Sequence, residues 1–352
     1  PEPHTLESPE AVLSTLEKDG RRRWMHPVRT PGPSYRRRLL VGWALIALFV
    51  SLPWIPVCGK PAVLLDIAAG EFTFLGLTLY PTDTVLLMLA LLTVFAGIVW
   101  ATTLLGRVWC GWACPQTVYM EFVFRPIEEL FEGKANARRK RDREGLTSAN
   151  TARKFGKWGA FIVFATLIAH TFLAYFVGWD RLLGWITGPP TEHWGSFVLM
   201  GATSALMLFD FGWFREQMCT IVCPYARLQS ALQDRDSLIV SYDPSRGEPR
   251  GHRGNTGALT LDSATVGVPL GDCVDCGACV RTCPTGIDIR DGNQMECIGC
   301  VQCADACDVI MDKVGTPRGL VRYTSKNAVE GKPARVMRPR VIIYTAICVV
   351  LA

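Results

Sequence analysis

Apolar residues in this chain are bunched into runs long enough to cross a bilayer, which takes about 20 residues in a helix. Residues 39–57 (LLVGWALIALFVSLPWIPV), 84–105 (TVLLMLALLTVFAGIVWATTLL), 158–177 (WGAFIVFATLIAHTFLAYFV) and 194–213 (WGSFVLMGATSALMLFDFGW) predict four membrane-spanning helices. A fifth run opens at Val341 and is cut off at Ala352 (VIIYTAICVVLA), so the pattern predicts that the protein continues past this point. The lack of an initial Met likewise predicts that it begins before Pro1. The first run is too long and too far from the N-terminus for a cleavable signal peptide, and no small-residue cleavage site follows it.

The polar stretches between the runs alternate in charge. Arg21, Arg22, Arg23, Arg36, Arg37 and Arg38 precede the first run, and Lys60 is the sole Lys or Arg of 58–83. Residues 106–157 are rich in Lys and Arg, 178–193 hold only Arg181, and 214–340 are basic again. Positive loops stay in the cytoplasm. The pattern therefore predicts a membrane protein with 1–38, 106–157 and 214–340 cytoplasmic, and whatever follows Ala352 outside.

Composition agrees. The chain is 49% apolar and 20% charged over 352 residues, too apolar for a disordered chain and unusual for a soluble one. The net charge of +5 is modest. The basic run at 138–143 reads as a surface run facing anionic lipid headgroups, and no nucleic-acid fold is legible. Of the 14 cysteines, all but Cys58 and Cys348 fall on the expected cytoplasmic side, where thiols stay reduced and metal binding is the better reading.

Eight of those cysteines form two runs. Cys273, Cys276, Cys279 and Cys283 are spaced C-x2-C-x2-C-x3-C with Pro284 after them, and Cys297, Cys300, Cys303 and Cys307 repeat the spacing. This is the bacterial ferredoxin pattern, in which three thiolates of one run and the last thiolate of the other hold each cubane. One 4Fe-4S cluster would use Cys273, Cys276, Cys279 and Cys307, and the other Cys297, Cys300, Cys303 and Cys283. The small residues Gly277, Ala278, Gly299 and Ala304 let the backbone approach the sulfides. A zinc ribbon is the alternative, but zinc takes one set of four ligands, not two interlocked sets. Asp308 stands where the second run lacks its Pro. Two such clusters imply one-electron transfer.

A second pair of motifs follows the second and fourth runs: Cys110-Gly-Trp-Ala-Cys114-Pro115 and Cys219-Thr-Ile-Val-Cys223-Pro224, with matching cysteines 109 residues apart. The membrane part thus reads as two parallel two-helix repeats, each ending in CxxxCP. The Pro favours a helix start there, and amphipathic helices are expected over 115–131 and 224–234. A thiol at a helix N-terminus has a lowered pKa, and Arg107 and Arg215 would push the same way. If a two-fold axis relates the repeats, Cys110, Cys114, Cys219 and Cys223 converge, a set of soft thiolates suited to copper. The alternative is that these four cysteines only pack a helix end.

Weaker signals are few. His170 lies inside the third run and could touch haem or quinone, or simply be hydrogen-bonded. Asp210 near the end of the fourth run could carry a proton or a metal, or pair with an Arg. No nucleotide-binding or hydrolase motif is present.

Taken together, GRVWCGWACPQTVYMEFVFRPIEELFEG, AHTFLAYFVGW, FREQMCTIVCPYARLQSALQDRDSLIVSYDPSRGEPRG and the eight-cysteine insert resemble the CcoG/FixG/RdxA family. These are accessory proteins of cbb3-type cytochrome c oxidase assembly in proteobacteria. A broader group with CxxxCP repeats and a double cluster includes the quinol dehydrogenases resembling NapH and NosR. The resemblance implies an inner-membrane protein with two cytoplasmic 4Fe-4S clusters that acts as a cupric reductase, turning Cu(II) into Cu(I) for the oxidase. It also implies a periplasmic immunoglobulin-like domain after the fifth span, and oxidase assembly factors or copper transporters as partners. The electron donor is not implied.

The expected architecture is a mainly α membrane protein. Its parts are an N-terminal segment (1–38), a first two-helix repeat (39–105) and a CxxxCP loop with an amphipathic helix (106–157). A second repeat (158–213) leads to a stretch holding the second CxxxCP and the ferredoxin-like insert (214–340), then the start of a fifth helix (341–352). Besides copper reduction, a quinol-oxidising conduit and a non-catalytic copper chaperone or assembly scaffold remain open.

Overall fold

Prolines bracket the first apolar helix. In the computed structural model, which describes residues 14–16, 21–67, 69–144, 147–191, 193–251 and 270–351, α1 runs Pro33–Ser51 and a 3-10 turn with Pro53 closes it. Pro suits a helix's first position because its missing N–H would go unpaired there anyway. After α1 comes an antiparallel meander of β1 (Val63–Asp66), β2 (Glu71–Phe74) and β3 (Leu77–Leu79), where the sequence predicted only a loop. Then follow α2 (Thr84–Leu105), α3 (Pro115–Tyr119), α4 (Arg125–Glu132), α5 (Ala135–Glu144), the 30-residue α6 (Ser148–Val177), α7 (Trp179–Thr187) and α8 (Trp194–Phe209). The chain continues through α9 (Pro224–Leu232), β4 (Leu238–Tyr242), α10 (Ala278–Thr282), α11 (Gln302–Val314), β5 (Val321–Ser325) and α12 (Pro339–Leu351).

Among the described residues, four helical stretches are long and apolar enough to cross a membrane: Pro33–Trp54, Pro81–Leu105, Ser148–Val177 and Trp194–Phe214. They expose large apolar side chains, among them Leu91, Val94, Phe95, Ile162 and Val163. A water-soluble surface does not tolerate such contiguous apolar faces, so the chain is a membrane protein. The third stretch begins ten residues before the apolar run. Nothing in 148–157 breaks a helix, and Lys157 is held by Glu132 at 2.8 Å.

The chain divides into two compact units. One comprises Leu40–Ile98, Pro115–Met218 and Tyr344–Ala352. Its core is aromatic: Phe124 stacks on Phe211 at 4.5 Å and meets the edge of Phe161 at 4.9 Å. Beside that core lies a buried ion network. Glu128 accepts from Arg215 through both oxygens (2.8 and 3.0 Å) and from Arg138 at 2.5 Å, while Arg125 pairs with Glu121. This corrects the expectation for 138–143 as a purely solvated run facing lipid. Arg138 is buried, because Glu128 needs a second cation once it is out of water. Burial pushes the Glu128 carboxyl up, but Arg215 and Arg138 outweigh it and hold it at about 2. Arg215, expected to act on a CxxxCP thiol, is thus spent on Glu128. Within the third span, His170 Nδ1 donates to the Thr166 carbonyl at 2.7 Å, and in the fourth Asp210 accepts from Gln116 at 3.0 Å.

The other unit comprises Pro1–Leu39, Val99–Cys114 and Cys219–Ile343, and so holds both CxxxCP motifs and the eight-cysteine insert. Strands β4 and β5 pair antiparallel, with Val240 opposite Tyr323. They form one wall of a core that includes Cys273, Cys279, Val301, Ala304 and Met311. The N-terminal segment lies on the insert: Val28 exchanges hydrogen bonds with Arg281 and Thr282 (2.9 and 2.7 Å). Asp305, between two of the insert's cysteines, accepts from the Ser34 and Tyr35 amides and so caps α1.

Candidate functional site

The two cysteine runs adopt the same backbone. Asp275 and Gly277 in the first run have φ of 47° and 63°, and Gly299 and Val301 at the matching positions of the second have 69° and 62°. A pair of left-handed residues turns each run around a centre before α10 and α11 begin. Only glycine adopts that conformation without cost, and a β-branched Val301 held there marks a backbone fixed by its surroundings.

The turns create two small cavities. Cys273, Cys276, Cys279 and Cys307 line the first, with Tyr242 and Val321 from the strands. Cys283, Cys297, Cys300 and Cys303 line the second, with Val240 and Ile298, and Cys279 borders both. Each cavity therefore draws three thiols from one run and the last from the other. Four thiols around an apolar hollow fit a 4Fe-4S cubane in donor type and number. Among the described residues no group of three or more His, Cys, Asp or Glu is set to hold a metal ion. Burial pushes the Cys279 and Cys297 thiols up to about 11 and those of Cys300 and Cys307 to about 12. Without iron these thiols are neutral, and metal binding must displace their protons. Asp308, in place of the missing Pro, lies within α11, and its carboxylate accepts from the Gly319 amide at 2.9 Å.

The two CxxxCP motifs also share a local fold. Cys110 and Cys219 lie in π-helical turns, Trp109–Ala113 and Met218–Val222. Cys114 and Cys223 follow in extended conformation, and α3 and α9 start at the Pro after each. Upstream, Gly106 and Arg215 stand at the same repeat position with φ of 59° and 55°.

Cys110 belongs to a small buried cluster with Ile298 and Cys300, against which Cys219 and Tyr225 pack. Its thiol donates to the Gln229 amide oxygen at 3.3 Å, and Gln229 is fully buried. Backbone reaches backbone here: a Cβ on Gly111 would meet the Ile298 oxygen at 2.7 Å and Gly299 at 2.8 Å. The expectation of a thiolate at Cys110 is corrected. Cys110 is inside a π turn and buried, and burial pushes its thiol up to about 12, with Cys114 adding to the rise and Arg107 opposing it. Cys223 lies near enough to act in the same direction as Cys114. The structure thus brings Cys110 and Cys219 together beside Cys300 of the second cavity, and among the described residues no three of the four CxxxCP cysteines form a metal-holding group.

Arg107 and Arg38 complete the surroundings. Arg107 donates to the carbonyls of Met295, Cys297 (2.7 Å) and Ala226 (3.2 Å) and to the Ser230 hydroxyl. Arg38, fully buried, donates Nε to the Gly111 carbonyl at 2.9 Å. The contacts of Arg38, Gly111, Gly299 and Gln229 were not legible in the sequence. The one local hint was a glycine inside the first CxxxCP motif and inside each cysteine run.

A 4Fe-4S dicluster domain family matches residues 214–326, and a 4Fe-4S binding domain family matches residues 87–138. The latter segment holds only Cys110 and Cys114, half of what a cubane takes, so its likeness concerns the CxxxCP unit and not a self-contained cluster. The chain is 34% identical over 313 residues to the nitrogen fixation protein FixG of Rhizobium meliloti, covering 87% of this chain and 58% of FixG. To RdxA of Cereibacter sphaeroides it is 37% identical over 284 residues, 79% of this chain and 57% of RdxA. To RdxB of the same organism it is 35% identical over 358 residues, 97% of this chain and 72% of RdxB. The chain therefore spans little more than half the length of FixG and RdxA. No solved structure matches it. With both cluster cavities, both CxxxCP turns and this identity along nearly the whole chain, the protein belongs to the CcoG/FixG/RdxA family.

Proposed function

We propose that this protein is an inner-membrane cupric reductase that supplies Cu(I) for assembly of a cbb3-type oxidase. In this reading the eight-cysteine insert faces the cytoplasm, and Cys110, Cys114, Cys219 and Cys223 receive the copper. The observation that carries it is the packing of Cys110 and Cys219 against Ile298 and Cys300, which puts a CxxxCP thiol beside a cluster cysteine. When bound, the two clusters supply single electrons, and each Cu(II) takes one to become Cu(I). The remaining roles fall to the chain. Gly111 and Gly299 bring the two loops into backbone contact. Gln229 orients the Cys110 thiol. Thiolates prefer Cu(I) to Cu(II), so ligation by these cysteines favours reduction once their protons leave. Copper is a passing substrate here, which no prebuilt cage of three ligands is needed to serve.

The test is anaerobic. The full chain with both clusters in place is reduced, Cu(II) is added, and Cu(I) is read with a chelator alongside cluster bleaching. Stoichiometric Cu(I) formation is expected, with at least a tenfold slower rate in a Cys110→Ala, Cys219→Ala variant that keeps both clusters. Equal rates in the two proteins overturn copper reduction at this face. Cluster reduction by a quinol is then the reaction to measure, and copper binding without turnover indicates a chaperone.

A further inference from the structure

The two cavities differ in the charge built around them. Arg290 lines the first, but it is clasped by two carboxylates: Asp288 accepts from it at 2.8 to 3.0 Å and again at 2.5 Å, and Asp275 takes a third nitrogen. Asp308 acts on Cys307 of the same cavity as a further negative charge. The second cavity faces a different cation. Arg107 is buried at 7% exposure and donates to four neutral acceptors, one of them the carbonyl of the ligand residue Cys297. It forms no ion pair among the described residues; the carboxylate acting on it is Glu296, which also acts on Cys297 but accepts no hydrogen bond from the guanidinium. Arg38 stands on the same side, buried and bonded to the Gly111 carbonyl, and its field reaches Cys300.

An arginine keeps its charge in any protein setting, and a buried charge is poorly screened. Adding an electron to a cluster makes it more negative. A nearby cation with neutral partners stabilises that state and raises the reduction potential, and net charge is one of the terms that set it. A cation already matched by two carboxylates does so much less.

We propose that Arg107 holds the cluster site formed by Cys283, Cys297, Cys300 and Cys303 at a higher reduction potential than the one formed by Cys273, Cys276, Cys279 and Cys307. Electrons entering from either side then come to rest beside Cys110. Arg107 is a positioning residue in this scheme: its guanidinium also ties the Met295–Cys297 backbone to α9, through Ala226 and Ser230. The inference rests on the iron–sulfur reading of the cavities and is independent of copper.

The experiment is a redox titration of the full chain followed by electron paramagnetic resonance, with iron and acid-labile sulfide counted first. Arg107→Gln is expected to lower the higher of the two midpoint potentials and leave the lower one in place. Arg107→Lys keeps the charge with fewer donors and is expected to hold the parent value. Asp308→Asn, which needs no change at Arg107 should Arg107→Gln lose a cluster, is expected to raise the lower midpoint. Unmoved midpoints in Arg107→Gln, an equal drop in Arg107→Lys, or a rise of the higher midpoint in Asp308→Asn overturns the inference alone. Fewer than two clusters in the parent protein overturns the reading of the cavities as well.

Discussion

Gly111 shows how much one side chain's absence decides. It sits between two cysteines of the first CxxxCP motif, and a methyl group there would strike the Ile298 and Gly299 backbone within 2.8 Å. Backbone cannot swing aside as a long side chain can. Gly111→Ala is therefore expected to cost about 1–3 kcal/mol, the usual range for overpacking, and to push the second cysteine run away from Cys110. Thermal unfolding reads the first effect. A weakened or altered spectrum of one cluster reads the second, and an unchanged spectrum with unchanged stability would show that the loops are not in contact. Cys110 makes the complementary point. Its place before a Pro-started helix predicted a reactive thiolate, yet burial decides its proton instead, because desolvation outweighs one nearby guanidinium.

At the level of elements, sequence periodicity located the apolar helices and missed what joins them. The β1–β3 meander, α7 and the strand pair β4–β5 are short and lie between stronger signals. The ion network around Glu128 joins α4, α5 and Arg215, and nothing in the local sequence marks those residues as partners. Its strength can be tested. Glu128→Gln leaves Arg138 and Arg215 buried without their carboxylate and is expected to cost about 3–5 kcal/mol in thermal or denaturant unfolding. The pH dependence has a definite sign. The folded carboxyl is held at about 2, below its ordinary 4.5, so its contribution is whole above 4.5 and lost as pH falls toward 2. Melting temperature should therefore stay level from pH 7 to 5 and drop below about 4.5, more steeply in the parent than in Glu128→Gln. Equal slopes would remove Glu128 as a source of acid sensitivity.

For the whole molecule the decisive feature is the exchange of cysteines between runs. If each cavity takes its fourth ligand from the distant run, Cys307→Ser strips the cluster of Cys273, Cys276 and Cys279, although Cys307 is a sequence neighbour of Cys303. Cys283→Ser correspondingly strips the cluster of Cys297, Cys300 and Cys303. Pairing each variant with Arg107→Gln identifies which cluster is left, since only the cluster of the second run should feel that charge. Loss of the run's own cluster in each case would mean local ligation.

The amino-acid sequence by itself determined the four apolar spans, the two cysteine runs with their shared spacing, and the pair of CxxxCP motifs 109 residues apart. Each of these is a regularity of neighbouring residues, fixed by helix length or by the reach of a short loop. The tertiary structure alone decided that Cys110 lies against Cys300, that Arg107 spans from α9 to the second cysteine run, and that Arg138 is buried rather than solvated. Those facts depend on residues far apart in the chain, whose pairing follows from where the backbone passes and from what burial demands of each charge.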